Sequence, residues 1–287
     1  NGNVLWTEPM NLTNAPAFDN YVRIAFSNNE DGGAIFGYDQ SDYYIYLSSI
    51  DSDGNILEGF PKRVCDIDSE QFIKGGIKTD EGIFIYWEDN RSGDSDIYGQ
   101  YFTLSGDLIG PEDGVPISIY PNDQKSPTIT YNESLNEILV CWEGFNGADY
   151  DIFCNTIDLT TLMVNTQNDG SPLYTLAEGE GGQQNTFIYS ALNGHYMCTW
   201  DDERQSTDLE GDDQFHTDIY YQEISNGSFV YEDNGVVVCD AYHAQYEPKI
   251  ALYNSENGED SYLLYWIDQR STGKDYLFNL YAQSITH

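Results

Sequence analysis

The sequence predicts an all-β protein: a five-bladed β-propeller of four-stranded antiparallel blades, its ring closed by the N-terminal strand joining the last blade. Three observations predict it. First, a phrase recurs along the chain. Trp87-Glu88-Asp89-Asn90-Arg91 precedes Asp96-Ile97-Tyr98; Trp200-Asp201-Asp202-Glu203-Arg204 precedes Asp218-Ile219-Tyr220; Trp266-Ile267-Asp268-Gln269-Arg270 precedes Asn279-Leu280-Tyr281. Degenerate copies start at Tyr38 and Trp142. Second, these five anchors are 49, 55, 58 and 66 residues apart, a period that holds four strands per unit. Third, the two ends complement each other. Gly2-Asn3-Val4-Leu5 reads like Gly54-Asn55-Ile56-Leu57 at an outer strand, and the last unit stops at Ile285-Thr286-His287, where its own outer strand is due. Residues 1–12 are therefore expected to close the ring and remove two open sheet edges.

Each unit is read in the same order. An inner strand opens it: Val22–Phe26, Ile73–Lys78, Pro127–Thr130, Thr186–Tyr189 and Pro248–Leu252. An apolar strand ending on the anchor follows: Ala34–Tyr38, Ile83–Trp87, Ile138–Trp142, Tyr196–Trp200 and Tyr262–Trp266. A polar hairpin leads to the strand carrying the Ile-Tyr pair, where aromatic and β-branched residues suit a pleated, packed surface. Gly-containing turns such as Asp51-Ser52-Asp53-Gly54 and Leu104-Ser105-Gly106-Asp107 lead to an outer strand, for example around Val64-Cys65 and Val236–Cys239. No helical period of useful length interrupts this pattern.

Composition excludes several classes of partner. The 287 residues carry 49 acidic and 11 basic side chains, a formal charge of −38, which repels nucleic acid and anionic lipid. No apolar run approaches the length of a membrane-spanning helix. Five cysteines (65, 141, 154, 198 and 239) lack zinc-type spacing. They read as buried thiols, with a local disulfide between Cys141 and Cys154 open as an alternative. No Gly-x-Ser-x-Gly motif occurs, and the four histidines are scattered, so nucleophilic catalysis is not expected.

Within the repeated phrase, Asp and Arg come and go together. Asp89 with Arg91, Asp202 with Arg204 and Asp268 with Arg270 follow Trp87, Trp200 and Trp266; Gln40 with Asp42 and Gly144 with Asn146 replace both partners. A planar guanidinium suits bidentate pairing and stacking on an aromatic ring. These nine residues are therefore expected to be structural, pinning each hairpin beside its indole. The competing reading, three ligand sites, needs each Arg exposed and unpaired.

The chain resembles secreted bacterial and archaeal surface proteins with propeller repeats of the form Gln-x-x-Pro-x-Ile, Trp-x-Asp-x-Arg, Asp-Ile-Tyr-x-Gln and Gly-x-x-Leu. Gln124-Lys125-Ser126-Pro127-Thr128-Ile129 and Gln245-Tyr246-Glu247-Pro248-Lys249-Ile250 carry the first part, and Gln183 precedes Ile188 at the same offset. The first two units depart, with Asp19 and Phe72 at that offset. The resemblance implies an extracellular or cell-surface location, often within a larger protein, and no single activity.

Propeller ligands bind where the central funnel opens, beside the loops entering the inner strands. Those loops nominate Asp19, Gln71, Gln124, Gln183, Tyr242, His243, Gln245, Tyr246 and Glu247 as ligand-binding residues, with the alternative that the glutamines serve only inner-strand backbone. The hairpin from Trp200 to Asp218 spans 18 positions against 9 in the two units before it. Its Asp208, Glu210, Asp212 and Asp213 are the candidate metal ligands, with calcium as the ion, against the plainer reading of a solvated acidic loop. The favoured function is a non-catalytic propeller that binds a glycan or an extracellular protein through its loop crown. One alternative is a glycan-active hydrolase, with Asp19 and Glu247 as its carboxylates. Another is a structural or adhesion domain of an extracellular assembly.

Overall fold

The computed structural model describes residues 25–28, 32–39, 43–191, 194–204, 216–256, 259–270 and 278–286. The segment 1–12 expected to close the ring lies outside them, as do Asp19, Asp208, Glu210, Asp212 and Asp213. The chain divides into two compact units, Asn1–Ile119 and Tyr120–His287. The described residues are all-β, with no helix long and apolar enough to cross a membrane.

Among the described residues the first unit holds two antiparallel sheets. One runs β1 (Ala25–Asn28), β2 (Ala34–Asp39), β3 (Ile45–Ile50) and β4 (Lys62–Arg63). The other runs β5 (Gln71–Lys78), β6 (Gly82–Asp89), β7 (Asp96–Thr103) and β8 (Leu108–Ile109), with β9 (Val115–Ser118) also on β7. Every residue of β6 is buried. Such a strand is covered on both faces and reads as an apolar run rather than an alternation. Ile35, Leu47, Ile73, Ile85 and Trp87 form one core between the two sheets.

Among the described residues the second unit holds three sheets. The first runs β10 (Gln124–Asn132), β11 (Glu137–Phe145), β12 (Tyr150–Asp158) and β13 (Met163–Asn165), with β14 (Tyr174–Ala177) on β12. The next runs β15 (Gln183–Ser190), β16 (His195–Asp202), β17 (Asp218–Ser225) and β18 (Ser228–Phe229), with β19 (Val236–Cys239) on β17. The last runs β20 (Gln245–Glu256), β21 (Glu259–Asp268) and β22 (Asn279–Thr286). Leu139, Ile152, Ile188 and Trp200 pack the first against the second, and Met197, Ile219, Ile250 and Trp266 pack the second against the third. Within each unit Trp87, Trp200 and Trp266 thus face the preceding sheet. Side chains alternate along a strand, so within the second unit Glu143 and Asp201, each directly after a tryptophan, face the following sheet.

In three of these sheets the single outer strand of the sequence reading is split. β8 and β9 pair opposite ends of β7, as β13 and β14 do on β12 and β18 and β19 on β17. In the first sheet β4 lies at Lys62–Arg63, just before the expected Val64-Cys65.

Cys141 and Cys154 face each other across β11 and β12, with Cα atoms 4.1 Å apart, and form a disulfide; Cys65, Cys198 and Cys239 are free and buried. The bridge spans 13 residues. A closed loop of that size constrains the unfolded chain by about 3 kcal/mol. The double variant Cys141→Ala/Cys154→Ala is expected to lose about that much stability in urea unfolding; an unchanged midpoint would contradict it.

Candidate functional site

The three complete phrases build the same object. Trp87 Nε1 donates to Asp89 Oδ2 at 2.9 Å, Arg91 Nη2 donates to the same oxygen at 2.6 Å, and the Arg91 backbone N–H donates to Oδ1 at 2.9 Å. The guanidinium lies 3.9 Å over the Tyr98 ring, which stacks on Trp87. Asp202 accepts from Trp200 Nε1 at 2.8 Å and from Arg204, whose guanidinium covers Tyr220. Asp268 accepts from Trp266 Nε1 at 3.0 Å and from Arg270 Nη2 at 2.5 Å, with Arg270 over Tyr281. All three aspartates are wholly buried. Burial pushes the Asp89 carboxyl up, but hydrogen bonds from Arg91, Trp87 and Ser69 outweigh it and leave the group below the usual carboxylate range. Each arginine is thus paired with its aspartate, whereas three ligand sites would need it unpaired.

The incomplete phrase at Trp142 shows why Asp and Arg disappear together. Gln124 Oε1 accepts from Trp142 Nε1 at 2.5 Å, and a Cβ at Gly144 would lie 2.9 Å from that oxygen. Gln124 occupies the space the aspartate fills elsewhere. The Arg then has no carboxylate to pair with.

The glutamine expectation is corrected. Gln71, Gln124, Gln183 and Gln245 have no exposed surface. Their Nε2 groups donate to carbonyls of their own entry loops: Gln71 to Ile67 at 3.3 Å, Gln124 to Tyr120, Pro121 and Asn122 at 3.3, 3.2 and 3.1 Å, Gln183 to Gly181 at 2.6 Å, and Gln245 to Ala241 at 2.9 Å and to His243. They clamp loops whose carbonyls would otherwise go unpaired. Gln71 pairs with Asp89 as Gln183 pairs with Asp202 and Gln245 with Asp268, so Gln71, not Phe72, is the counterpart in its sheet.

Two residues beyond each clamp in the second unit comes a bulge. Ser126, Asn185 and Glu247 have φ of 51°, 55° and 50°, and at each the strand register shifts opposite the anchor tryptophan. A left-handed non-glycine residue costs energy and re-aims its side chain. Pro127 and Pro248 are tolerated because the bulge leaves the ladder there.

The bulges meet the acids that follow the tryptophans. Asn185 N–H donates to Glu143 Oε1 at 2.9 Å, and its Nδ2 donates to Asp201 Oδ2 at 2.7 Å. Asp201 is 1% exposed, and its Oδ1 is buried with no hydrogen-bond partner. Burial pushes its carboxyl up to about 7; the Asn185 bond opposes this, and the charges of Glu143 and Glu247 add to it. Glu247 is exposed and Glu143 half-buried, so both reach solvent while Asp201 stays behind them. Glu247 was the one member of this group nominated from sequence. The legible signal for Glu143 and Asp201 was an acid directly after the anchor, on the opposite face of its strand.

Tyr246 is half-buried, and its ring meets the exposed Phe278 edge-on at 6.4 Å. Burial and then the Asp201 charge push the Tyr246 hydroxyl up. Tyr242 is 53% exposed and packs on His243 and His216 at centroid distances of 4.1 and 5.6 Å. Asp19, the expected partner carboxylate of Glu247, lies outside the described residues, as does the acidic hairpin. Among the described residues no three His, Cys, Asp or Glu side chains are grouped to hold a metal ion.

No protein-family model and no curated protein matches the chain. Among solved structures it is similar to a thermostable family-43 glycoside hydrolase at 7% identity and TM-score 0.43, over 86% of this chain and 83% of that one. An exo-1,5-α-L-arabinanase from a bovine ruminal metagenomic library matches at 10% identity and TM-score 0.39, over 92% of both chains. A GH32 β-fructofuranosidase of Bombyx mori matches at 12% and 0.43, over 85% of this chain and 55% of that longer one. The expectation of a non-catalytic binding module is corrected accordingly: the similar structures are hydrolases.

Proposed function

We propose that the protein hydrolyses glycosidic bonds in a polysaccharide, with Glu143 and Glu247 as the carboxylates that meet the substrate and Asp201 as the positioning residue behind them. The observation that carries this reading is the buried Asp201, which shares Asn185 with the half-buried Glu143 and feels the charges of both Glu143 and the exposed Glu247. Glycoside hydrolysis needs one carboxyl group to protonate the leaving oxygen and a second, ionised one to act as nucleophile or base. A neutral Asp201 spares the pair a third negative charge below about pH 7. The ring of Tyr246, the residue before Glu247, and the exposed Phe278 ring that meets it offer apolar faces on which a sugar ring can stack.

The finer architecture belongs to the same proposal: a five-bladed propeller closed by residues 1–12. Five successive antiparallel sheets among the described residues support it, as does the packing of consecutive sheets within each unit. An extracellular or cell-surface location, in keeping with the resemblance of the repeats, is supported by the Cys141–Cys154 bridge, since disulfides persist in oxidising compartments.

The test is reducing-sugar release from arabinan, xylan, fructan and other soluble polysaccharides. The intact chain is expected to cleave at least one, and Glu143→Gln and Glu247→Gln each to lower kcat by about 100-fold or more with melting curves retained. Full activity in both variants would overturn the assignment.

A further inference from the structure

We propose that the Tyr120–His287 unit carries a second reactive centre: a Ser225, His195 and Glu223 relay that cleaves acyl esters, with the Asn226 amide as oxyanion donor. No sequence motif announces it. The β16–β17 register creates it, setting His195 directly opposite Ser225, with Glu223 two residues earlier on the same face of β17.

The distances are those of a nucleophilic relay. His195 Nδ1 lies 2.6 Å from Glu223 Oε1, and His195 Nε2 lies 3.3 Å from Ser225 Oγ. A carboxylate on Nδ1 keeps the proton of the neutral ring there and leaves the Nε2 lone pair facing the hydroxyl. The slightly long Oγ to Nε2 separation is ordinary for such a pair without substrate. Asn226 Nδ2 is 3.2 Å from Ser225 Oγ, so a donor already stands beside the nucleophile. Asn226 and Gly227 form the hairpin turn with φ of 51° and 76°, which fixes that amide relative to the strand end.

Burial is graded in the order the chemistry needs. The Glu223 side chain is 6% exposed and that of His195 22%; Ser225 is half-buried and Asn226 exposed. The orienting carboxylate is dry, the base sits at the boundary, and the nucleophile is within reach of solvent. A mere surface network would have no need of this gradient.

The step balances without any further reactant than water. Ser225 Oγ bonds to the acyl carbon while its proton passes to His195 Nε2. The carbonyl electron pair becomes an oxyanion that accepts from Asn226 Nδ2. Collapse of that intermediate breaks the ester C–O bond, and His195 returns the proton to the departing alcohol oxygen. Water then attacks the acyl-serine with His195 again as base. The carboxylic acid leaves, and the proton returns to Ser225 Oγ.

The test treats the whole folded chain with a fluorophosphonate and maps the adduct by mass spectrometry, with p-nitrophenyl acetate hydrolysis as a second measurement. The adduct is expected on Ser225, absent in Ser225→Ala, and formed about 100-fold more slowly in His195→Ala or the closer variant His195→Gln. Glu223→Gln is expected to slow labelling and Glu223→Asp to restore part of it, which loss of packing alone would not produce. No adduct on Ser225 in the native chain, or labelling at an unchanged rate in a folded His195 variant, would overturn the proposal.

Discussion

Asp201→Asn is expected to raise the melting temperature at pH 8, to have little effect at pH 4, and to remove a break near pH 7 from the pH profile of glycan hydrolysis. The folded-state pKa of Asp201 is raised from 3.8 to about 7, mainly by burial. A raised carboxyl contributes stability that is fully present below its unfolded pKa and is lost as pH rises through the folded value. The window here runs from about pH 4 to about pH 7. A shift of this size corresponds to about 4 kcal/mol once the buried group is ionised. Asparagine has the same shape, carries no charge and still accepts from Asn185 Nδ2. Its own amide takes the place of the unpartnered Oδ1 and gives back about 1 kcal/mol as an unsatisfied donor. A net gain of about 3 kcal/mol at pH 8 follows, some 5–10 °C in a chain of this size. In the native chain, ionisation of Asp201 adds a negative charge that acts on both Glu143 and Glu247, the proposed catalytic carboxylates. The kcat/KM profile should therefore break near pH 7 in the native protein only. A melting-temperature difference that does not change between pH 4 and pH 8 would refute the buried, proton-holding Asp201. A break near pH 7 that survives in Asp201→Asn would assign it to another group.

The fold and the site differed in how far the sequence disclosed them, and particular residues show why. Trp87, Trp200 and Trp266 announce their strands because a large ring, an aspartate two residues on and an arginine two further on form one local object. Local geometry writes itself into local spacing. The Gln-x-x-Pro pattern was equally visible, but its purpose was not. The positive φ at Ser126, Asn185 and Glu247 falls on residues that do not advertise it as glycine would. Glu143 and Asp201 stood next to their tryptophans in plain view. Their role depends on the opposite face of the strand and on the next sheet, a contact between residues 42 apart in the case of Glu143 and Asn185. Ser225 and His195 illustrate the same limit: 30 positions apart in the chain, they meet only through strand register.

Asp89→Ala is expected to lower the melting temperature by about 10 °C, whereas a replacement that removes both charges should cost less. The Asp89 carboxylate has no exposed surface and binds four donors around one hairpin: the indole of Trp87, the hydroxyl of Ser69, and the guanidinium and backbone N–H of Arg91. Truncating it leaves Trp87 Nε1 buried without an acceptor. It also leaves a guanidinium whose side chain is only 16% exposed without its counter-charge. Removing one partner of a buried ion pair costs about 3–5 kcal/mol, most of it the penalty of the charge left behind. At about 2–4 °C per kcal/mol, that is the expected loss. The pair Asp89→Ala/Arg91→Ala removes both charges together, so its cost should fall short of the sum of the single variants by more than 1 kcal/mol. The sheet at Trp142 already lives with that solution: Gly144 and Asn146 replace the pair, and Gln124 satisfies the indole. The pH dependence runs opposite to that of Asp201. Asp89 lies below its ordinary value, so its contribution is present above about pH 4 and is lost as the pH falls through the lowered folded value. Thermal melts of the two single variants and the double variant at pH 7 and pH 3 would measure both effects. Strict additivity at pH 7 would mean that Asp89 and Arg91 do not serve each other, and would reopen the reading of the arginines as ligand groups.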